Sequence, residues 1–339
     1  MTDPLDLHRF VQLFAVPREA MPYLDRMVTP TEMRLVLAAD GGALTVDSVQ
    51  QRLALTAEEA AEALDDAFRR GVLDREEKDG ELLYTPTNFY TRMDIMATFE
   101  TTWDELPVEY RKALDGWMLE EYIDRVRPNV ELLMAGKPTE GSPGNDSVVL
   151  ADEVDSIIDS AETIVVVPCD CRRIAQNCSK PTETCIQFDR TAEKKLARGY
   201  GRRLTAKEAK DLVLWADRKG LMHTTDLRVG ETGPAPICNC CADDCYVFRA
   251  AERLGSKGVW PRSRYVASFD PEKCQFCGAC VKRCHFGAFH HDGTTVQRLG
   301  LELRNVAFDA TKCWGCGLCT AVCFPEAITL VQRQNEFDM

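Results

Sequence analysis

The chain has no excess of positive charge: 41 Lys and Arg face 54 Asp and Glu, a net of −13. Phosphate contacts need clustered cations, so a general nucleic-acid binder is disfavoured. Long apolar runs are missing too; Ile164 to Val167 is typical and far too short to span a bilayer. The opening "MTDPLDLHRFVQLF" has neither a basic start nor a small-residue cleavage site, so it does not read as a secretory leader. The expectation is a cytoplasmic protein with no membrane span. Several cofactor signatures are also absent. Cys241 and Cys245 are followed next by Cys274, so there is no C-x3-C-x2-C run for radical chemistry, and there is no C-x-x-C-H haem attachment. Gly199-Tyr200-Gly201 lacks the third glycine and the preceding strand of a dinucleotide fingerprint. His is scarce, at 5 residues, and His223, His290 and His291 read as solvated or capped rather than as ligands.

What the chain has in quantity is cysteine, 16 in 339 residues. A chain this long buries its own core and does not need disulfides to fold, so metal or cluster ligation is the leading reading. Eight of the cysteines lie in "CQFCGACVKRC", residues 274 to 284, and "CWGCGLCTAVCFP", residues 313 to 325. Each run has the spacing C-x2-C-x2-C-x3-C. The runs belong to a repeat offset by 39 residues, in which Phe269, Asp270, Lys273, Gly278 and Ala288 match Phe308, Asp309, Lys312, Gly317 and Ala327. A pseudo-twofold fold is expected. Gly278 and Gly317 sit between ligand positions, where a tight backbone turn suits a residue without Cβ. Asp292-Gly293 between the halves predicts a hairpin turn.

These motifs resemble the bacterial two-cluster ferredoxin family over residues 264 to 331. The resemblance implies that Cys274, Cys277, Cys280 and Cys323 hold one [4Fe-4S] cluster, and that Cys313, Cys316, Cys319 and Cys284 hold a second. One departure is local: His285 stands where the second run has Phe324-Pro325. Two zinc sites of four cysteines each are the alternative.

The other eight cysteines form two groups in the chain: Cys169, Cys171, Cys178 and Cys185, then Cys238, Cys240, Cys241 and Cys245. Eight ligands suit two further [4Fe-4S] clusters, making at least two and up to four in the chain. One cluster with one zinc, or redox thiols, are the alternatives. Ile164 to Val167 reads as a buried strand delivering Cys169, with Cys171 on the same face if the strand continues. Cys240 and Cys241 are neighbours and would point apart from a strand. Arg172 and Arg173 would offset thiolate charge. The wider pattern of "CDCR", "GYGRRLTAKEA" and "ICNCC" before the tail is similar to a larger family of iron–sulfur proteins from anaerobic prokaryotes, over roughly residues 160 to 331. That resemblance implies cytosolic electron transfer.

Residues 29 to 90 read as helix, helix, helix, hairpin, the order of a winged helix. Thr56 with Glu59 makes a capping box, and Asp79-Gly80 a hairpin turn. Residues 1 to 90 carry 17 acidic and 9 basic side chains, however. A docking module is therefore favoured over DNA binding. Residues 190 to 219 carry ten Lys or Arg against four Asp or Glu and are a candidate surface for an acidic partner.

The fold class expected is α+β and multidomain. A winged-helix-like docking domain spans 1–90, a helical segment and linker 91–147, a cysteine-rich α/β cluster-binding domain 148–263, and a ferredoxin-like dicluster domain 264–339. The function expected is electron transfer through several [4Fe-4S] clusters, without catalysis of its own, as a subunit or partner of a larger oxidoreductase or flavoprotein. A redox-sensing winged-helix regulator and an enzyme with an open-site cluster are the alternatives.

Overall fold

The computed structural model describes residues 4–139, 141–227, 233–298 and 300–333. Met1 to Asp3 of the opening stretch lie outside the described residues. The chain is mixed α/β, with several small sheets and two compact units. The first unit runs to Glu120 and takes in Arg173–Ala175 and Lys194–Tyr200; the second holds Glu121–Arg172, Gln176–Glu193 and the chain from Gly201.

In the first unit, α1 (Pro4–Leu13), α2 (Leu24–Met27), α3 (Pro30–Ala39), α4 (Val46–Leu53) and α5 (Ala57–Arg69) precede a hairpin of β1 (Leu73–Lys78) and β2 (Glu81–Pro86). Thr29, Thr45 and Thr56 each cap a helix, and Glu32, Ser48 and Glu59 return the bond to the cap backbone. The hairpin turns at Asp79 and Gly80, both at positive φ (54° and 81°), as a two-residue loop requires. Helix α6 (Phe89–Phe99) follows, and α7 (Val108–Met134) begins in this unit. Phe10, Phe14, Met27, Leu35, Leu64 and Trp103 are fully buried in its core. Arg92, also fully buried, makes paired 2.8 Å bonds to Glu100, and Arg70 joins Glu100 to Glu32.

The second unit carries the cysteines. Its elements are β3 (Ser147–Val149), α8 (Asp155–Ser160), β4 (Ile164–Pro168), α9 (Asp170–Ala175), β5 (Glu183–Phe188), α10 (Asp189–Ala197), β6 (Arg202–Arg203), α11 (Ala206–Arg218), β7 (Met222–Thr225), β8 (Cys238–Cys240) and α12 (Tyr246–Leu254). The end of α9, Arg173–Ala175, and the end of α10 from Lys194 belong to the first unit. One sheet has the order β5-β4-β6; the other is β8-β7-β3-β9, closed by β9 (Arg262–Ser263). An isolated bridge between Ile186 and Ile237 ties the two. Helix α11 lays Ala209 and Val213 on Ile164, Val166 and Ile186, so β4 is buried along its length, as its β-branched run predicts.

The C-terminal repeat has β10 (Tyr265–Phe269), α13 (Ala279–Arg283), β11 (Phe289–His290), β12 (Thr295–Arg298), β13 (Leu301–Arg304), β14 (Ala307–Phe308) and β15 (Ile328–Gln332). Its halves interlock: Phe269 pairs with Ile328 and Phe308 with Phe289. The backbone bonds Asp270 N to Ala327 O and Asp309 N to Ala288 O are both 2.8 Å. The expected hairpin at Asp292-Gly293 is corrected: β11 pairs with β14, and the hairpin is β12 with β13. Asp292 instead makes a side-chain turn, accepting from Thr294 N at 2.9 Å. Among the described residues no helix is long and apolar enough to cross a membrane.

Candidate metal centres

The repeat folds its eight cysteines around two cavities. One is lined by Cys274, Cys277, Cys280 and Cys323 with Phe269, Val306 and Ile328. The other is lined by Cys284, Cys313, Cys316 and Cys319 with Phe286, Trp314 and Leu330. Each run therefore sends its fourth cysteine to the other run's cavity. The two cavities are close to equal in size, as the pseudo-symmetry demands.

Backbone amides are aimed at the sulfurs in the same symmetric way. Phe276 N–H donates to Cys274 Sγ at 3.2 Å and Gly315 N–H to Cys313 Sγ at 3.3 Å. Both donors have positive φ, 53° and 64°. Cys313 receives a second amide, from Ala267, at 3.5 Å. Burial pushes the Cys280 thiol up to about 11 and the Cys316 thiol up to about 12. Without a metal these two thiols stay protonated, and a bound cation is what draws their protons off. Among the described residues no three of these eight sulfurs lie within 4.8 Å of one another. A single tetrahedral zinc would hold its thiolates at S···S about 3.8 Å, given a Zn–S bond of about 2.3 Å. Wider spacing around an apolar cavity fits an iron–sulfur core.

The middle eight cysteines are sorted differently from their order in the chain. Cys169 follows β4 at the first position before α9, and Cys171 lies in the first turn of α9; the strand expected to carry both ends at Pro168. Cys185 lies on β5 opposite Val167. Cys238 and Cys240 share one face of β8, and Cys245 lies immediately before α12. These six thiols form a closed chain of contacts. Cys169 touches Cys171 and Cys185, Cys245 touches Cys171 and Cys240, and Cys238 closes the ring between Cys185 and Cys240. The Cys245–Cys240 separation is 3.3 Å.

Cys178 and Cys241 stand apart from the ring. Their sulfurs are 3.6 Å from each other, and Cys241 Sγ is 3.5 Å from Asp244 Oδ2. Cys241 leaves the ring because it follows Cys240 on the opposite face. These two thiols and Asp244 fall within 4.8 Å of one another.

Arg172 lies between the two sets. It donates to Asn239 O at 2.8 Å, reaches Cys241 Sγ at 4.0 Å and bonds Thr184 Oγ1. Burial opposes its charge, but Cys169, Cys185, Cys241 and Cys240 outweigh burial and raise its pKa. Within the ring, the Cys169 thiol is held well below its usual value by bonds from Cys171 and Cys185, and Cys245 likewise by Cys171 and Cys240. Arg173 faces elsewhere, donating to Asp104 at 2.9 Å.

The departure at His285 turns out to join the two cysteine-rich regions. His285 Nε2 is 2.7 Å from Gly220 O, and Arg283 bonds Arg218 O at 2.8 Å. Phe286, in the place of Pro325, packs on Phe248 of α12 (5.4 Å) and on Trp314 (5.3 Å); Phe248 meets Trp314 edge-on at 5.1 Å. Sequence reasoning missed this triad. Its signals were Trp314 directly after Cys313 and Phe286 two residues after Cys284.

Paired four-cysteine cavities with amide-bonded sulfurs define a ferredoxin-like iron–sulfur segment with electron-transfer capability. Residues 267–290 and 306–329 match the family model described as 4Fe-4S binding domain. No curated protein and no solved structure matches the chain.

Proposed function

We propose that the chain relays single electrons between the two clusters of its C-terminal repeat and a metal centre in the middle cysteine region, serving a larger oxidoreductase or flavoprotein as subunit or partner. In this reading Cys274, Cys277, Cys280 and Cys323 hold one [4Fe-4S] cluster, and Cys313, Cys316, Cys319 and Cys284 hold the other. The observation that carries it is the aromatic triad. Phe286 and Trp314 line the second cavity, and Phe248 starts one turn after Cys245 of the six-thiol ring. Bound clusters of this type supply one-electron carriage, often at low potential. The chain's own residues exclude water, point amides at sulfur and keep the centres close. Zinc in the middle region is the alternative to a further cluster.

The first unit is read as a winged-helix-like docking module in a cytoplasmic protein. Helix α5 exposes Glu58, Glu59, Glu62 and Asp66, charges that a phosphate backbone repels. The basic stretch at 190 to 219 loses weight as a partner surface. Lys194 and Arg198 bind Asp74, Lys207 binds Asp211, and Lys210 binds Asp159.

The test is the anaerobically purified full chain and its Cys323→Ala variant. About eight irons with matching sulfide belong to the repeat, and reduction should give two magnetically interacting [4Fe-4S]⁺ spectra. Cys323→Ala should lose or convert one cluster and abolish the interaction. Zinc in the repeat, with no reducible cluster signal, would sink the reading.

A further inference from the structure

The two middle groups of four cysteines do not correspond to two four-thiol sites. Six sulfurs, from Cys169, Cys171, Cys185, Cys238, Cys240 and Cys245, close into one ring, each touching two others. Four different parts of the fold supply them: the β4–α9 junction, β5, β8 and the start of α12. The remaining pair, Cys178 and Cys241, bonds within itself and to Asp244.

We propose that this ring is a single site for one polynuclear iron–sulfur cluster with six cysteine ligands, larger than a cubane. This rests on the electron-relay reading for its chemistry, but not for its geometry. Three arguments support it. First, a cubane presents one terminal position per iron, four in all, so it would leave two thiols of a continuous ring without a metal. Second, the ring is too open for tetrahedral zinc: neighbours touch, yet among the described residues no three ring sulfurs lie within 4.8 Å of one another. A zinc tetrahedron would bring every pair of its sulfurs to about 3.8 Å. Third, Cys169, Cys185, Cys240 and Cys245 are 5%, 5%, 3% and 4% exposed, and Arg172 is the buried guanidinium beside them. Acting together as thiolate ligands, these six sulfurs would carry far more negative charge than Arg172 offsets, so they would need a positive inorganic core among them.

The cluster's extra terminal ligands distinguish it from the cubanes of the repeat. Cys178 and Cys241 are not ligands of it. Arg172 reaches Cys241 Sγ and holds Asn239 O, so it ties α9 to β8 beside the ring.

The test is iron, zinc and sulfide content together with anaerobic native mass spectrometry of the full chain. Wild type is compared with Cys178→Ala/Cys241→Ala and with Cys238→Ala. The proposal expects clearly more than four irons beyond about eight in the repeat, and no zinc. The double variant should keep all of that iron and the wild-type spectrum. Cys238→Ala should change the middle cluster's mass while the reduced spectrum of the repeat persists, which also shows that this variant folds. About four extra irons would mean a cubane with two spare thiols, and would overturn the six-ligand site. So would loss of about four irons from the double variant, which is the signature of two ordinary cubanes, and so would zinc in the ring. If Cys238→Ala does not fold, the wild-type mass and the double variant still decide. A repeat that lacks reducible clusters would instead refute the relay reading and leave the metal content of the ring readable.

Discussion

Lys257 shows how one side chain can bias one centre. Its Nζ lies 5.6 Å from the Trp314 ring centre and bonds Thr311 O, beside the Cys313 cavity. Burial lowers its pKa, while the neighbouring Cys313 raises it. A positive charge there stabilises the reduced, more negative state of a cluster. Lys257→Met should therefore lower one midpoint potential of the repeat by on the order of 50 mV, from about 1 kcal/mol of Coulomb energy at high effective dielectric, and leave the other unchanged. Redox titration followed by EPR checks this; equal shifts in both clusters would count against it. The cysteines of the repeat were legible at this scale, because C-x2-C-x2-C-x3-C is a local spacing. Lys257 was not, since it reaches Cys313 only through the packing of α12's C-terminal loop.

At the scale of elements, the symmetry of the repeat is strict where backbone amides meet sulfur and relaxed elsewhere. Phe276 and Gly315 occupy equivalent positions with positive φ. At Gly315 a Cβ would fall 2.1 Å from Tyr265 O, a backbone atom of β10. That atom has no room to move while β10 pairs with β15. Gly315→Ala should cost about 3 kcal/mol or more and cost the protein its second cluster, with the first retained. Thermal melts and iron content of the variant measure both effects. Phe276→Gly is the control, and should change iron content little. Gly278 and Gly317 were legible as turn residues, and both do take positive φ, 70° and 78°. Gly315 was not singled out, because its necessity comes from a strand 50 residues earlier in the chain.

For the whole molecule, the division into two units sets which parts depend on metal. The first unit has its own apolar core and the Arg92–Glu100 network, while all six ring cysteines and the repeat belong to the second. Stripping the clusters with oxidant and chelator should abolish hydrogen-exchange protection in β8, β10, β15 and the start of α12. Protection in α3 and α5 should stay within a few-fold of the holoprotein's. Uniform loss along the chain would contradict independent cores. The capping box at Thr56 and the turn at Asp79-Gly80 were both readable as local patterns. The pairing order β8-β7-β3-β9 was not, for it joins strands far apart in the chain.

Local sequence alone determined the helix starts and the buried run of β4, because each depends on residues within one or two turns of each other, whereas the cross-pairing of the cysteine repeat was expected from a family resemblance and joins two separate runs. Local sequence also determined that Cys240 and Cys241 part, since neighbours on a strand face opposite ways. Tertiary structure decided how the middle thiols are grouped. Cys178 and Cys185 are seven residues apart, yet one joins Cys241 and the other joins the ring, because β5 carries Cys185 alongside Val167 while Cys178 lies in the loop before it. Tertiary structure also turned the missing proline at position 286 into a contact between two cysteine-rich regions. No spacing rule encodes that contact, since it exists only when α12 and the repeat pack side by side.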